Sequence, residues 1–201
     1  MNFPSVRMGA LAGSMTRSMH GAALTFSKVV ADRVGMSVLD VALVDREGLE
    51  GSLHGLDRYS GGRLCMITQR MRTADDLHTQ GMLVLPEEGA RLIVRRMLGL
   101  PVLLGELSEL EQDALSELGS IVIDACRGGL GGAFGLQAEA AQPAVDLTDA
   151  ESGFSLDDTL HNALVTQLHI HLSGLRVEGR VVLEMLADSA LPALPHYRFS
   201  A

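Results

Sequence analysis

Aromatic side chains make up only 3% of the 201 residues, and tryptophan is absent. A core built from this chain must be filled by Leu, Val, Ile, Met and Ala, and stacking platforms for nucleic-acid bases are scarce. Positive charge is also in short supply. Sixteen Lys and Arg face 25 Asp and Glu, a formal net charge of −9 that argues against a nucleic-acid partner. Arg70/Arg72 and Arg95-Arg96 are candidate local basic patches, for which solvated helix or strand faces are the simpler reading. Cysteine occurs only at Cys65 and Cys126, among apolar neighbours and without CxxC spacing, so both read as small buried hydrophobes. Arg17 and His20 interrupt the Ala- and Met-rich N-terminal run, which leaves no secretory h-region. No window is long and uncharged enough to span a bilayer. The expectation is a cytoplasmic protein without membrane insertion.

Hydrophobic residues are plentiful at 47%, enough for a real core. Their spacing describes one order of elements twice. Helical periodicity runs from Ser5 to Val34 through Met8, Leu11, Met15, Met19, Ala22, Phe26, Val29 and Val30. A strand-like run follows at Met36–Val44, then a polar, Gly-rich connection from Asp45 to Gly62. Two strands are expected at Arg63–Arg72 and Gln80–Leu85, and Pro86-Glu87-Glu88 opens a helix that ends at Gly99. In the second half, Ser108 and Glu111 form a capping-box pattern before a helix that runs through Leu115, Leu118, Ile121, Val122 and Ala125 towards Gly131. A strand near Gln137–Leu147 leads into an acidic connection, Thr148–Asp158. Strands at Leu160–Leu172 and Arg176–Leu186 flank a Ser173-Gly174-Leu175 turn, and a short apolar segment, Ala187–Leu194, closes the pattern.

The halves are offset by roughly 100 residues, and their best local echo sets Thr79–Leu83 against Val177–Val181. The expected fold is α/β (α+β): two helix-strand-strand-strand units, about 5–100 and 106–195, within one domain spanning 1–201. They would form a long, mostly antiparallel sheet with two long helices packed on one face.

Asp113, Glu117 and Ser120 are spaced i, i+4, i+7, which lines them along one side of the second long helix. Pro143 lies 23 positions beyond Ser120. This pattern, with Glu117-Leu118-Gly119-Ser120-Ile121 at its centre, resembles the signature of the CheC/CheX/FliY family of chemotaxis phosphatases. That signature has Asp or Ser, then Glu, then Asn, then a distant Pro. Ala125, Gly129 and Leu130 also fall where the family places small residues and Leu, and Gly21–Ser27 is similar to a segment of the family's first helix. One element departs: the Asn position holds Ser120.

The resemblance implies dephosphorylation of the aspartyl phosphate of a CheY-type response regulator. There is no intrinsic cofactor in this reading, since the response regulator supplies the Mg²⁺. Glu117, with Asp113 beside it, would contact the partner, and Ser120 would stand where an Asn orients water. An amide donates and accepts at once, whereas a Ser hydroxyl ends about one bond length short of it. A second family site would fall at Gly13 and Thr16, and neither matches the Glu or the Asn. The alternative is a binding module that holds a response regulator or a CheD-like deamidase without hydrolysing anything.

Two other signals carry less. His169 and His171 share a strand face but lack a third ligand at supporting spacing, so a polar outer face is the better reading than a metal site. Gly128–Gly132 follows a helix and lacks the Lys-Ser/Thr of a phosphate loop, so a helix end or a close helix crossing accounts for it better. The Met residues at helical spacing read as core filler.

Overall fold

The computed structural model describes residues 3–30, 32–57, 63–73, 78–101, 107–134, 138–149 and 162–185. Their elements are α1 (Phe3–Val30), β1 (Gly35–Val44), α2 (Arg46–Asp57), β2 (Arg63–Thr73), β3 (His78–Pro86), α3 (Glu87–Leu98), α4 (Glu109–Phe134), β4 (Ala138–Ala140), β5 (Ala144–Asp149), β6 (Asn162–Leu172) and β7 (Leu175–Met185). The closing segment Ala187–Leu194 and most of the Thr148–Asp158 connection lie outside the described residues.

The strands form one antiparallel sheet in the order β1-β6-β7-β3-β2, with β4 and β5 following each other along the far edge of β2. The order is symmetric. Each half contributes a hairpin to the centre and sends its leading strand across to the hairpin of the other half. At the middle, Leu83 pairs with Val181. There the two glycines of the echo noted above match: a Cβ on Gly81 would meet Leu183, and one on Gly179 would meet Leu85. Gly174, at φ 76°, makes the tight turn between β6 and β7.

Period-2 alternation gives the sheet two apolar faces. One, with Cys65, Ile67, Leu83, Leu85, Leu164, Leu168, Val181 and Leu183, is covered by α1, α3 and α4. The two long helices run side by side there, as expected. The opposite face, with Leu64, Met82, Val84, Ala163, Val165 and Val182, is covered by α2. This corrects the reading of Asp45–Gly62 as a connection. Leu49, Leu53 and Leu56 recur at helical spacing and are fully buried. Asp45 starts the helix: its Oδ1 accepts the Gly48 N–H at 2.9 Å and its carbonyl accepts the Leu49 N–H at 2.9 Å. Three glycines in twelve residues hide that helix from propensity.

Smaller departures have local causes. The first helix stops at Val30, because the Ser27 hydroxyl takes the Val34 N–H at 3.0 Å and turns the chain into β1. The broken alternation of β1 is a bulge: Leu39 is an extra residue between the Val38–Leu168 and Asp40–Gln167 pairs. The strand expected over Gln137–Leu147 divides into β4 and β5 around Ala141–Pro143.

The capping box forms: Ser108 N–H donates to Glu111 Oε2 at 2.9 Å, and the Glu111 N–H reaches Ser108 Oγ at 3.3 Å. Glu111 also accepts from Arg95 Nε at 2.7 Å, with both side chains about 6% exposed, so the cap locks α3 to α4. Arg95 is therefore a core residue and not part of a basic patch. The hydrogen bond from Arg95, with that from Ser108, holds the Glu111 carboxyl down at about 2. Because this lies below its ordinary value of 4.5, the contribution to stability is complete above that pH and fades as pH falls through about 2. Glu111→Ala removes the carboxylate facing a buried guanidinium. It should cost about 3–5 kcal/mol in urea unfolding at pH 7. Glu111→Gln should flatten the acid limb of a stability-against-pH curve.

Candidate functional site

Helix α4 is set on the sheet by a residue without a side chain. A Cβ on Gly119 would fall 2.2 Å from Ile67 Cγ2 on β2, so the backbone of α4 rests directly on the sheet there. Ala114, Leu115, Leu118, Val122, Ile123 and Cys126 face inward around it. The opposite side of the helix therefore faces solvent. Asp113 and Glu117 are exposed, and Ser120 is half-buried beside them. The three residues expected from their spacing thus share one accessible face, one turn apart.

Ser116 sits on the same face and ties it to the sheet edge. Its Oγ donates to the carbonyl of Pro143 at 3.0 Å. Gln69 Nε2 donates to the Ala141 carbonyl at 3.0 Å, and the Ala141 N–H donates to the Arg70 carbonyl at 2.9 Å. The short chain 141–143 is thereby held between β2 and α4. Pro143, distant from the helix in sequence, is adjacent in space through Ser116.

Helix α1 supplies what the sequence alone did not reveal. Cβ positions built on Gly128, Gly129 and Gly132 of α4 fall against Ser18, Met15 and Ser14 of α1 respectively. Rising numbers on one helix meet falling numbers on the other, so the pair is antiparallel, crossing closely at the glycines. Gly128–Gly132 is thus a crossing inside α4, which continues to Phe134. The same register runs the C-terminal half of α1 alongside Glu117 and Ser120. It carries exposed Lys28 and two exposed apolar residues, Leu24 at 56% and Val29 at 48%. In sequence these look like ordinary turns of an amphipathic helix, and only the crossing brings them to the α4 face.

Gly13 and Thr16 lie at the other end of the helix pair, beside the glycine crossing. The Thr16 hydroxyl donates back to the Ala12 carbonyl at 2.9 Å, and Gly13 presents only backbone. The structure does not bring them to Glu117 and Ser120.

Other titratable groups are committed elsewhere. Burial pushes the thiols of Cys65 and Cys126 up to about 12, so both stay protonated at neutral pH. His169 and His171 stand on the α2 face of the sheet with ring centroids 5.7 Å apart, and His169 Nε2 lies 3.6 Å from Glu178. No group of three His, Cys, Asp or Glu suited to a metal occurs among the described residues. A groove of about 1110 Å³ runs between α2 and β1, lined by Asp40, Ser52, Gln167 and Arg180 among others, and shares no residue with α4. Among the described residues no helix is long and apolar enough to cross a membrane.

The chain is similar to Thermotoga maritima FliY, with a TM-score of 0.69 and 18% identity over 94% of this chain and 93% of that one. It is similar to the FliM middle domain of Vibrio alginolyticus, at 0.59 and 14%, over 89% and 93%. The FliG–FliM complex of H. pylori contains another chain of this shape, at 0.63 and 11%, over 89% and 92%. No protein-family model matches the chain, and no curated protein matches it in sequence. The fold is that of FliY, as the motif resemblance implied, and also that of the FliM middle domain.

Ser116→Ala should release the 141–143 chain. We expect a loss of about 0.5–1.5 kcal/mol and faster amide hydrogen exchange at Ala141 and Ala144, with α4 itself unchanged.

Proposed function

We propose that this protein acts in chemotaxis-type signalling as a phosphatase for a phosphorylated CheY-type response regulator, docking it on the exposed face of α4. The observation that carries the reading is the display of Asp113, Glu117 and Ser120 on one rigid helix face, joined to Pro143 through Ser116, on a FliY-like fold. Glu117 and Asp113 offer carboxylates to a basic group of the partner. Leu24 and Val29 add apolar contact area beside them.

The partner brings the phosphoryl group and its Mg²⁺, which neutralises charge on the phosphate oxygens. Water oxygen attacks phosphorus in line, and the bond from phosphorus to the aspartyl oxygen breaks. The electron pair leaves with the aspartate carboxylate, the water proton passes to phosphate or solvent, and inorganic phosphate is released. Little covalent chemistry is asked of this chain, whose part is to hold the water. The Ser120 hydroxyl both donates and accepts but is short, so its share of that task is weak.

The half-buried, truncated group at Ser120 also favours a second reading. In that case the same face holds a response regulator, or a CheD-like deamidase, and acts by occupancy alone.

Phosphate release from a CheY-type receiver domain, charged with acetyl phosphate in Mg²⁺, separates the two. Acceleration by the wild-type protein is expected, with Glu117→Ala raising KM and Ser120→Asn raising kcat about tenfold or more. Measurable binding without acceleration by either wild type or Ser120→Asn would establish the occupancy reading. Absence of binding would overturn both.

A further inference from the structure

The turn between β4 and β5 carries an amide in a suggestive place. Ala140 pairs with Met71 and Val145 pairs with Ile67, so both face the side of the sheet covered by α4. Five steps separate them, an odd number, so the alternation of side chains must slip once between them. Three residues, 141 to 143, stand opposite only two on β2, Gln69 and Arg70. Ala141 stays in step, since its N–H bonds the Arg70 carbonyl at 2.9 Å. The slip therefore falls at Gln142 and Pro143, which together oppose Gln69. Counted in alternation from Ala140, Gln142 falls on the α4 side, and counted back from Val145, so does Pro143. Gln69, the residue opposite, is buried on the same α4 side, between Ile67 and Met71.

From these positions we infer that Gln142 supplies the amide that the helix lacks at Ser120. This rests on the phosphatase reading above. Its backbone is held on both sides: Ala141 by Gln69 and Arg70, Pro143 by the Ser116 hydroxyl at 3.0 Å. Its side chain is exposed. Ser116 and Ser120 are four residues apart, about 6 Å along the helix axis. An extended Gln side chain reaches about 5 Å from its own Cα, most of that separation. Gln142 thus brings an amide to the Glu117–Ser120 face from the sheet edge instead of from the helix. Its carbonyl oxygen accepts a hydrogen from the attacking water, and its NH₂ donates to a phosphoryl oxygen. Ser120 then needs only to make room and give a supporting hydrogen bond. No bond to Gln142 is made or broken.

The test is a double-mutant cycle on phosphate release from an acetyl-phosphate-charged CheY-type receiver domain, with the full chain. Gln142→Ala should lower kcat about tenfold or more, leave KM within about twofold, and leave the thermal midpoint unchanged. In the Ser120→Asn background, where the helix has its own amide, the same substitution should have little effect. Gln142→Ala turning over at the wild-type rate, or an equal loss in both backgrounds, would overturn this inference and leave the phosphatase reading standing. No acceleration by wild type or by Ser120→Asn would overturn that reading and this inference with it.

Discussion

The contact of Gly119 with Ile67 is the constraint on which the site depends. A helix lying on a sheet is normally held away by the side chains between them. Here the absence of one lets the α4 backbone settle onto β2, and the rotation of the helix follows. Leu115, Leu118, Val122 and Cys126 turn into the core, and Asp113, Glu117 and Ser120 turn out. The close approach also brings Ser116 within hydrogen-bond reach of Pro143. One missing side chain thereby orients the helix face and attaches it to the sheet edge.

A second fixed point holds the start of the same helix. Glu111 caps α4 and accepts from buried Arg95 of α3. Such a pair adds little net stability over an apolar substitute, but breaking it is costly, so it discriminates strongly against other placements of α4. Between this lock and the glycine crossing with α1, the helix has little freedom to roll or slide. The proposed positioning of a water by this face would require that rigidity.

The two long helices are equivalent by topology and unequal in chemistry. The central Leu83–Val181 pair and the matched glycines Gly81 and Gly179 show how closely the halves correspond. Yet at the positions that the family resemblance assigns to a second site, α1 has only Gly13 and a Thr16 bonded back to its own helix. Antiparallel packing sets the two helix faces at opposite ends of the pair. The bare part of α1 lies by the glycine crossing, and its apolar, exposed part lies beside the polar face of α4. The asymmetry gives one exposed face of mixed character instead of two polar ones.

Much of this was legible in the residues because it depends on local rules. The periodicities of 3.6 and 2 set the long helices and the hairpins, Ser108 and Glu111 marked a helix start, and i, i+4, i+7 spacing put Asp113, Glu117 and Ser120 on one side. Helix α2 escaped because three glycines lower its propensity, and burial of Leu49, Leu53 and Leu56 against the sheet outweighs that. Arg95 looked like surface charge because its partner lies on another helix. The closeness of Pro143 to Ser116 and the placing of the C-terminal half of α1 alongside Glu117 both arise between segments far apart in the chain. Sequence by itself determined which residues share a helix or strand face, since that follows from backbone geometry. Only the tertiary structure decided which faces meet, because that depends on where a missing Cβ or an extra strand residue allows two backbones to approach.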